Sequence, residues 1–169
     1  FVTATAALIL IFIFELLFGV TTDMALFTLC DYNHPLLRRL ELEAPGTFYH
    51  SLMVASLAEY AAKAIKANPI KARVGAIFHD IGKLAKPEYF IENTYESESK
   101  HDDLHPRMSS LIILNHVKEG LDLALKYNLR KVIRDAIQQH HGTDIVYYFY
   151  KRALDENKEK GVPVDDSEY

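Results

Sequence analysis

A chain of 169 residues is long enough to bury one sizeable core. Its formal net charge of −4 argues against a general binder of nucleic-acid polymers, and a single cysteine, Cys30, excludes an intrachain disulfide framework and suits a reducing compartment. The sequence carries no internal repeat and no zinc-ribbon cysteine spacing, and Gly and Pro fall mostly at candidate helix boundaries, so it reads as all-α.

From Phe1 to Val20 the only charge is Glu15, and Ala6 to Phe14 is wholly apolar. That length just reaches the roughly 20 residues that a membrane helix needs. The expectation is the end of a transmembrane helix, with a buried core helix as the alternative. No basic start or cleavage site of a signal peptide is visible, and a chain opening on Phe1 reads as an internal piece of a longer protein. Arg38 and Arg39 favour a cytoplasmic location for the domain C-terminal to this helix.

Thr21-Thr22-Asp23 offers N-caps for a short helix to about Asp31, and Pro35 starts another, Leu36 to Glu43, with His34 in the break as a loop or capping residue. Ala44-Pro45-Gly46-Thr47 precedes a long helix, Phe48 to about Ala67, in which His50, Val54, Leu57 and Ala61 share an apolar face expected to point inward. Asn68-Pro69 opens a helix from Ile70 to Ile81 that presents Ala72, Ala76 and His79 on one face, and Gly82 is expected to end it through positive φ. Glu88 to Asp103 lacks apolar periodicity, and Thr94 to Lys100 reads as a surface loop. Pro106 starts a helix carrying Ser109, Ile112, Ile113 and His116 at helical steps and running to Asn128. Arg130 to His141 is a helix with Ile133, Ile137 and His140 on one face, ended by Gly142. A last helix, Ile145 to about Leu154, precedes a polar tail without a core pattern.

Alone, the His79-Asp80 pair reads as a core histidine beside a surface acid. Its meaning changes because His50, His79, His116, His140 and His141 fall on four helices, mostly on apolar faces, where a buried ring needs a partner. A shared metal centre between helices satisfies them together. Nitrogen and carboxylate donors suit iron, manganese or zinc. Six ligands exceed one tetrahedral zinc with an open position, and they suit two metals about 3.5–4 Å apart bridged by Asp80. Such a pair attacks phosphoesters with activated water. Lys83 then holds a phosphate as a point charge or, alternatively, is a solvated lysine at a helix end. His101 and His105, beside Asp102 and Asp103, read as loop hydrogen-bonding residues rather than ligands.

With these residues in view, the sequence resembles the HD-domain metal-dependent phosphohydrolase superfamily. It is most similar to the membrane-anchored seven-transmembrane-receptor-with-HD group, whose cytoplasmic HD domain hydrolyses cyclic di-AMP. The matching stretches are Asn33 to Leu37, Glu43 to Thr47, His79 to Lys83, Tyr89 to Asn93, His116 to Lys118 and His140 to Thr143. The resemblance implies an HD-domain helical bundle with a di-metal site of iron or manganese. In it, His50, His79 and Asp80 hold one ion, Asp80 bridges, and His116, His140 and His141 hold the second. It also implies a metal-activated hydroxide that opens cyclic di-AMP to linear 5′-phosphoadenylyl-adenosine, lowering a second messenger at the bacterial cell membrane.

The implied layout is a membrane-helix end at 1–20, connecting helices at 21–43, an HD phosphohydrolase domain at 44–157 and a polar tail at 158–169. The family supplies a further Asp to the first metal. Asp155, Asp165 and Asp166 are poor matches for it, so that ligand is expected beyond Tyr169. The run after His141 lacks the Gly-Tyr-Pro motif of the related cyclic di-GMP enzymes, which disfavours that substrate. Alternatives are a nucleotide or phosphomonoester hydrolase, and a non-catalytic ligand-sensing module on the same fold.

Overall fold

The helices that start at Pro35, Pro69 and Pro106 combine a proline in the first turn with a side-chain acceptor just before it, so those boundaries follow from local chemistry. The computed structural model describes residues 2–18, 21–94, 99–158 and 163–169. Throughout those residues the regular structure is helical: α1 (Val2–Phe18), α2 (Asp23–Leu29), α3 (Pro35–Glu43), α4 (Pro45–Ala64), α5 (Pro69–Phe78), α6 (Pro106–Lys126), α7 (Lys131–Gln139) and α8 (Tyr147–Lys158). The 3₁₀ turns Ile81–Ala85, Pro87–Tyr89 and Ile91–Asn93 connect α5 to α6. Thr22 Oγ1 caps α2, His34 Nδ1 accepts from the Leu36 amide to cap α3, Asn68 Oδ1 caps α5 and His105 Nδ1 caps α6. His34 is therefore a capping residue, as its position suggests.

The core gathers Leu26, Leu36, Leu37 and Leu40 with Val74, Ile77 and Phe78 of α5 and Ile133 and Ile137 of α7, all buried. Each such side chain contributes on the order of 1.5–3 kcal/mol by leaving water. Helix α5 lies between α4 and α7, and α6 packs on the turn Ile81–Ala85. A smaller cluster joins Phe149 and Ala153 of α8 to Tyr169, with Ile113 of α6 against it.

Several boundaries and faces differ from the sequence reading. Helix α4 begins at Pro45, three residues early, because proline is preorganised at a first turn and the Phe48 amide already donates to the Ala44 carbonyl. Its buried positions are Thr47, Phe48, Ser51, Ala55 and Ala62, so the inward face is not the one carrying His50 and Leu57. The His50 side chain is 46% exposed, and Met53 and Leu57 beside it are exposed too. Helix α5 stops at Phe78, with His79 as its C-cap and Asp80 leading into the 3₁₀ turn. Helix α7 likewise stops at Gln139, before the two histidines.

Gly142 has φ +61°, the left-handed conformation that ends a helix. Gly82 does not adopt positive φ; its requirement is space. A Cβ built on it would lie 1.7 Å from the His116 carbonyl oxygen and 2.5 Å from the Gly120 nitrogen. The turn after α5 and the middle of α6 thus touch main chain to main chain.

The polar C-terminal stretch is not without core contacts. Helix α8 continues to Lys158, and Tyr169 is buried, its carbonyl accepting from the Val146 amide. The residues 95–98 of the expected surface loop and 159–162 of the expected tail lie outside the described residues. Helix α1 leaves Ile9, Leu10, Phe14, Leu17 and Phe18 exposed. Its single charge, Glu15, accepts from the Thr22 amide at 3.1 Å and pairs with Arg130 at 3.1 Å, tying the helix end to the start of α7. Among the described residues no helix is long and apolar enough to cross a membrane.

The glycine contact makes a sharp prediction. In Gly82→Ala the added methyl meets main-chain atoms that cannot rotate away, so the cost should lie at or above the upper end of the ~1–3 kcal/mol typical of overpacking. Chemical denaturation should show a lower midpoint at unchanged slope.

Candidate metal centre

Four parts of the fold deliver the donors: α4 brings His50, the end of α5 brings His79 and Asp80, α6 brings His116, and the end of α7 brings His140 and His141. The structure brings all six together, in two sets. His50, His79 and Asp80 form one and His116, His140 and His141 the other, the ligand atoms of each set lying within 4.8 Å of one another. Asp80, 3% exposed, faces both. Its Oδ2 lies 3.1 Å from His79 Nε2 and 3.8 Å from His50 Nε2, while its Oδ1 lies 3.3 Å from His116 Nε2 and 3.6 Å from His140 Nε2.

The ring orientations are set by the helices that carry them. His79 Nδ1 donates to the Ala76 carbonyl at 2.7 Å, His140 Nδ1 to the Ile137 carbonyl at 2.8 Å, and His116 Nδ1 to the Ile113 carbonyl. A carbonyl only accepts, so Nδ1 carries a proton in each ring and Nε2 is the atom turned to the centre, where it hydrogen-bonds Asp80 or, without its proton, ligates a metal. His116 Nε2 then stands 3.1 Å from His140 Nε2 and 3.3 Å from His141 Nε2. Ring nitrogens this close must share a proton or a metal ion between them. The donor set therefore fits divalent metal, with the carbonyls fixing tautomers from behind.

Burial opposes ionisation of Asp80, but hydrogen bonds from His116, His140 and His79 outweigh it and hold the carboxyl far below the usual range. Burial, followed by the neighbouring rings of His140 and His116, pushes His141 down to about 4, so it is neutral at pH 7 and able to ligate. Lys83 is not a solvated helix-end lysine. Its side chain is 14% exposed, and Nζ lies 2.9 Å from Asp80 Oδ2 and 2.7 Å from Glu92 Oε1.

These groups line a cavity of about 660 Å³ whose other walls include Tyr89, Phe90, Tyr148 and Phe149. That is the size of a small-molecule site, aromatic walls around a few convergent polar groups. His101 is buried in its lining, ring between Tyr89 and Phe149, with Nε2 against the Tyr89 carbonyl at 2.9 Å. His105 is at the α6 cap, so neither is brought among the donors. Sequence periodicity does not single out Glu92. It lies in a 3₁₀ turn with no apolar period, and its one available signal is its place in the stretch Tyr89 to Asn93.

Residues 47–164 match the family model described as HD domain. The chain belongs to the HD domain family. This HD chain is 44% identical over 156 residues to the cyclic-di-AMP phosphodiesterase PgpH of Bacillus subtilis, covering 92% of itself and 21% of that protein. It is 44% identical over 145 residues to PgpH of Listeria monocytogenes, covering 86% of itself and 20% of the relative. It therefore spans about a fifth of the length of these relatives. The crystal structure of the L. monocytogenes PgpH HD domain in complex with cyclic-di-AMP superposes with a TM-score of 0.76 at 42% identity, over 83% of this chain and 64% of that one. Ribonuclease Y of Ureaplasma parvum is 40% identical over 101 residues, 60% of this chain and 16% of the relative.

Because Asp80 faces both donor sets, Asp80→Asn should bring bound divalent metal close to background by elemental analysis after desalting. In the intact protein, divalent metal at about 100 times its dissociation constant should add about 2.7 kcal/mol of stability, removable by a chelator.

Proposed function

We propose that this HD domain hydrolyses cyclic di-AMP to linear 5′-phosphoadenylyl-adenosine, using two divalent ions, iron or manganese, and so lowers a bacterial second messenger. The observation that carries this reading is one buried carboxylate, Asp80, shared between two histidine-rich donor sets at the floor of a cavity of dinucleotide scale. Similarity to two PgpH phosphodiesterases, and to a PgpH HD domain solved with cyclic di-AMP, supports the choice of substrate.

In this reading His50, His79 and Asp80 hold one ion, and Asp80, His116, His140 and His141 hold the other. Bound there, the pair supplies Lewis acidity and a water of lowered pKa for attack on phosphorus. The chain's own groups do the rest. The Ala76, Ile113 and Ile137 carbonyls keep three imidazoles in register, so the site is organised before substrate arrives. Lys83 places a fixed positive charge beside Asp80, where it meets the phosphodiester. Tyr89, Phe90, Tyr148 and Phe149 exclude water and offer ring faces to the bases. The exposed apolar side chains of α1, followed by Arg38 and Arg39, support a position at the cytoplasmic face of a membrane, held through helices of the longer protein.

The full-length protein carrying this chain, loaded with Mn²⁺ or Fe²⁺, should convert cyclic di-AMP to the linear dinucleotide. No product with two metals per chain verified would overturn the reading. His140→Ala should lower bound metal from two per chain to about one and cut turnover at least about a hundredfold. Unchanged metal content in that variant would instead favour the non-catalytic module.

A further inference from the structure

Lys83 is held from two sides, and the two holders are not equivalent. Asp80 Oδ2 lies 2.9 Å from Nζ but is also claimed by His79 and by whatever cation loads the centre. Glu92 belongs to neither donor set, and its Oε1 lies 2.7 Å from the same nitrogen. Phe90 completes the cage, its ring centroid 4.9 Å from Nζ. A lysine ammonium ends a flexible stem and stays in one place only if something holds it there. Glu92 is the carboxylate free to do so.

What holds Glu92 is informative, because the turn Ile91–Asn93 has no buried residue and leaves Ile91 85% exposed. Apolar packing does not hold this turn down. Instead it is bracketed to the first turn of α4 by polar groups around Thr47, which is fully buried. The Thr47 amide donates to Asn93 Oδ1 at 2.9 Å, and Asn93 Nδ2 donates to Thr47 Oγ1 at 2.8 Å. Thr47 Oγ1 then donates its one proton to Glu92 Oε1 at 3.0 Å. The main chains are in contact as well, since a Cβ on Gly46 would lie 1.7 Å from the Glu92 carbonyl oxygen. The side-chain hydrogen bonds run in one direction, from Asn93 through Thr47 to the Glu92 carboxylate that receives Lys83.

We propose that Glu92 is a positioning residue for the phosphodiester reaction, fixing the Lys83 ammonium over the cavity while Thr47 and Asn93 fix the direction of the carboxylate. The link to turnover rests on the function proposed above; the hold on Lys83 stands on the geometry. Glu92→Gln keeps the shape and the acceptor for Thr47 and removes the charge.

Two readouts in the full-length protein test this. In the first, metal-free protein is acylated with limiting acetic anhydride and lysines are compared by peptide mass spectrometry. Lys83 should react about tenfold faster in Glu92→Gln, the order expected for losing a charged hydrogen bond, while exposed Lys131 is unchanged. In the second, Glu92→Gln should lower kcat for cyclic di-AMP about tenfold with KM little moved and metal content intact. In a Lys83→Met background the same change should then cost nothing further. Unaltered Lys83 labelling, or a full Glu92→Gln penalty persisting without Lys83, would overturn the proposal. If the unmutated protein does not turn over cyclic di-AMP, the proposed function fails while labelling still decides whether Glu92 holds Lys83. Should Glu92→Gln fail to fold, Thr47→Val removes the supporting hydroxyl and should raise Lys83 labelling in the same way.

Discussion

A carboxylate withdrawn from water must be compensated in place, and Asp80 is compensated on both its oxygens. Taking one such ion into a protein interior costs several kcal/mol unless partners meet its lone pairs. Here imidazoles approach from two sides and an ammonium from a third. The structure around it follows from that requirement. Helix α5 ends at Phe78 with His79 as its cap, and Asp80 leaves the helical path just where donors from α6 and α7 arrive. Three of the rings are tethered to carbonyls of their own helices, which turns Nε2 of each toward the centre.

The cavity above this centre has two kinds of wall. One is charged and built on the turn Ile91–Asn93, where Glu92 and Lys83 face each other. Another part is aromatic, with the His101 ring in edge-on contact with Tyr89 and tilted against Phe149. Arg152 of α8 secures it by donating to the carbonyls of His101 at 2.9 Å and Asp102 at 3.1 Å. Aromatic side chains and a fixed positive charge thus line the same cavity as the two donor sets.

Helical spacing alone placed His79, His116 and His140 toward a common point, because each follows apolar residues at three- and four-residue steps on a helix with one polar face. The same rule brought His50 to the centre but misjudged its face, which is half exposed. Helix α4 is apolar on more than one side, with Met53, Leu57 and Tyr60 exposed opposite a buried face made largely of small residues, Ser51, Ala55 and Ala62. Hydrophobicity picked the larger residues, whereas close helix packing used the smaller ones. Glu92 and Thr47 escaped because their pairing joins residues 45 apart through a 3₁₀ turn, and no periodicity links such positions. The burial of Tyr169 was hidden likewise, since a lone aromatic after a polar run has no repeat to mark it.

The contact of Gly82 with the His116 carbonyl joins the segment that carries Asp80 directly to the segment that carries His116. The separation between the two halves of the centre is therefore a main-chain dimension, and no side chain lies in the gap to swell or shrink it. Core residues elsewhere can be exchanged and repacked, raising or lowering stability, while this spacing stays the same. In such a scaffold the chemistry at the floor is insulated from drift in the core, and the freedom to change what the domain accepts is left to the walls.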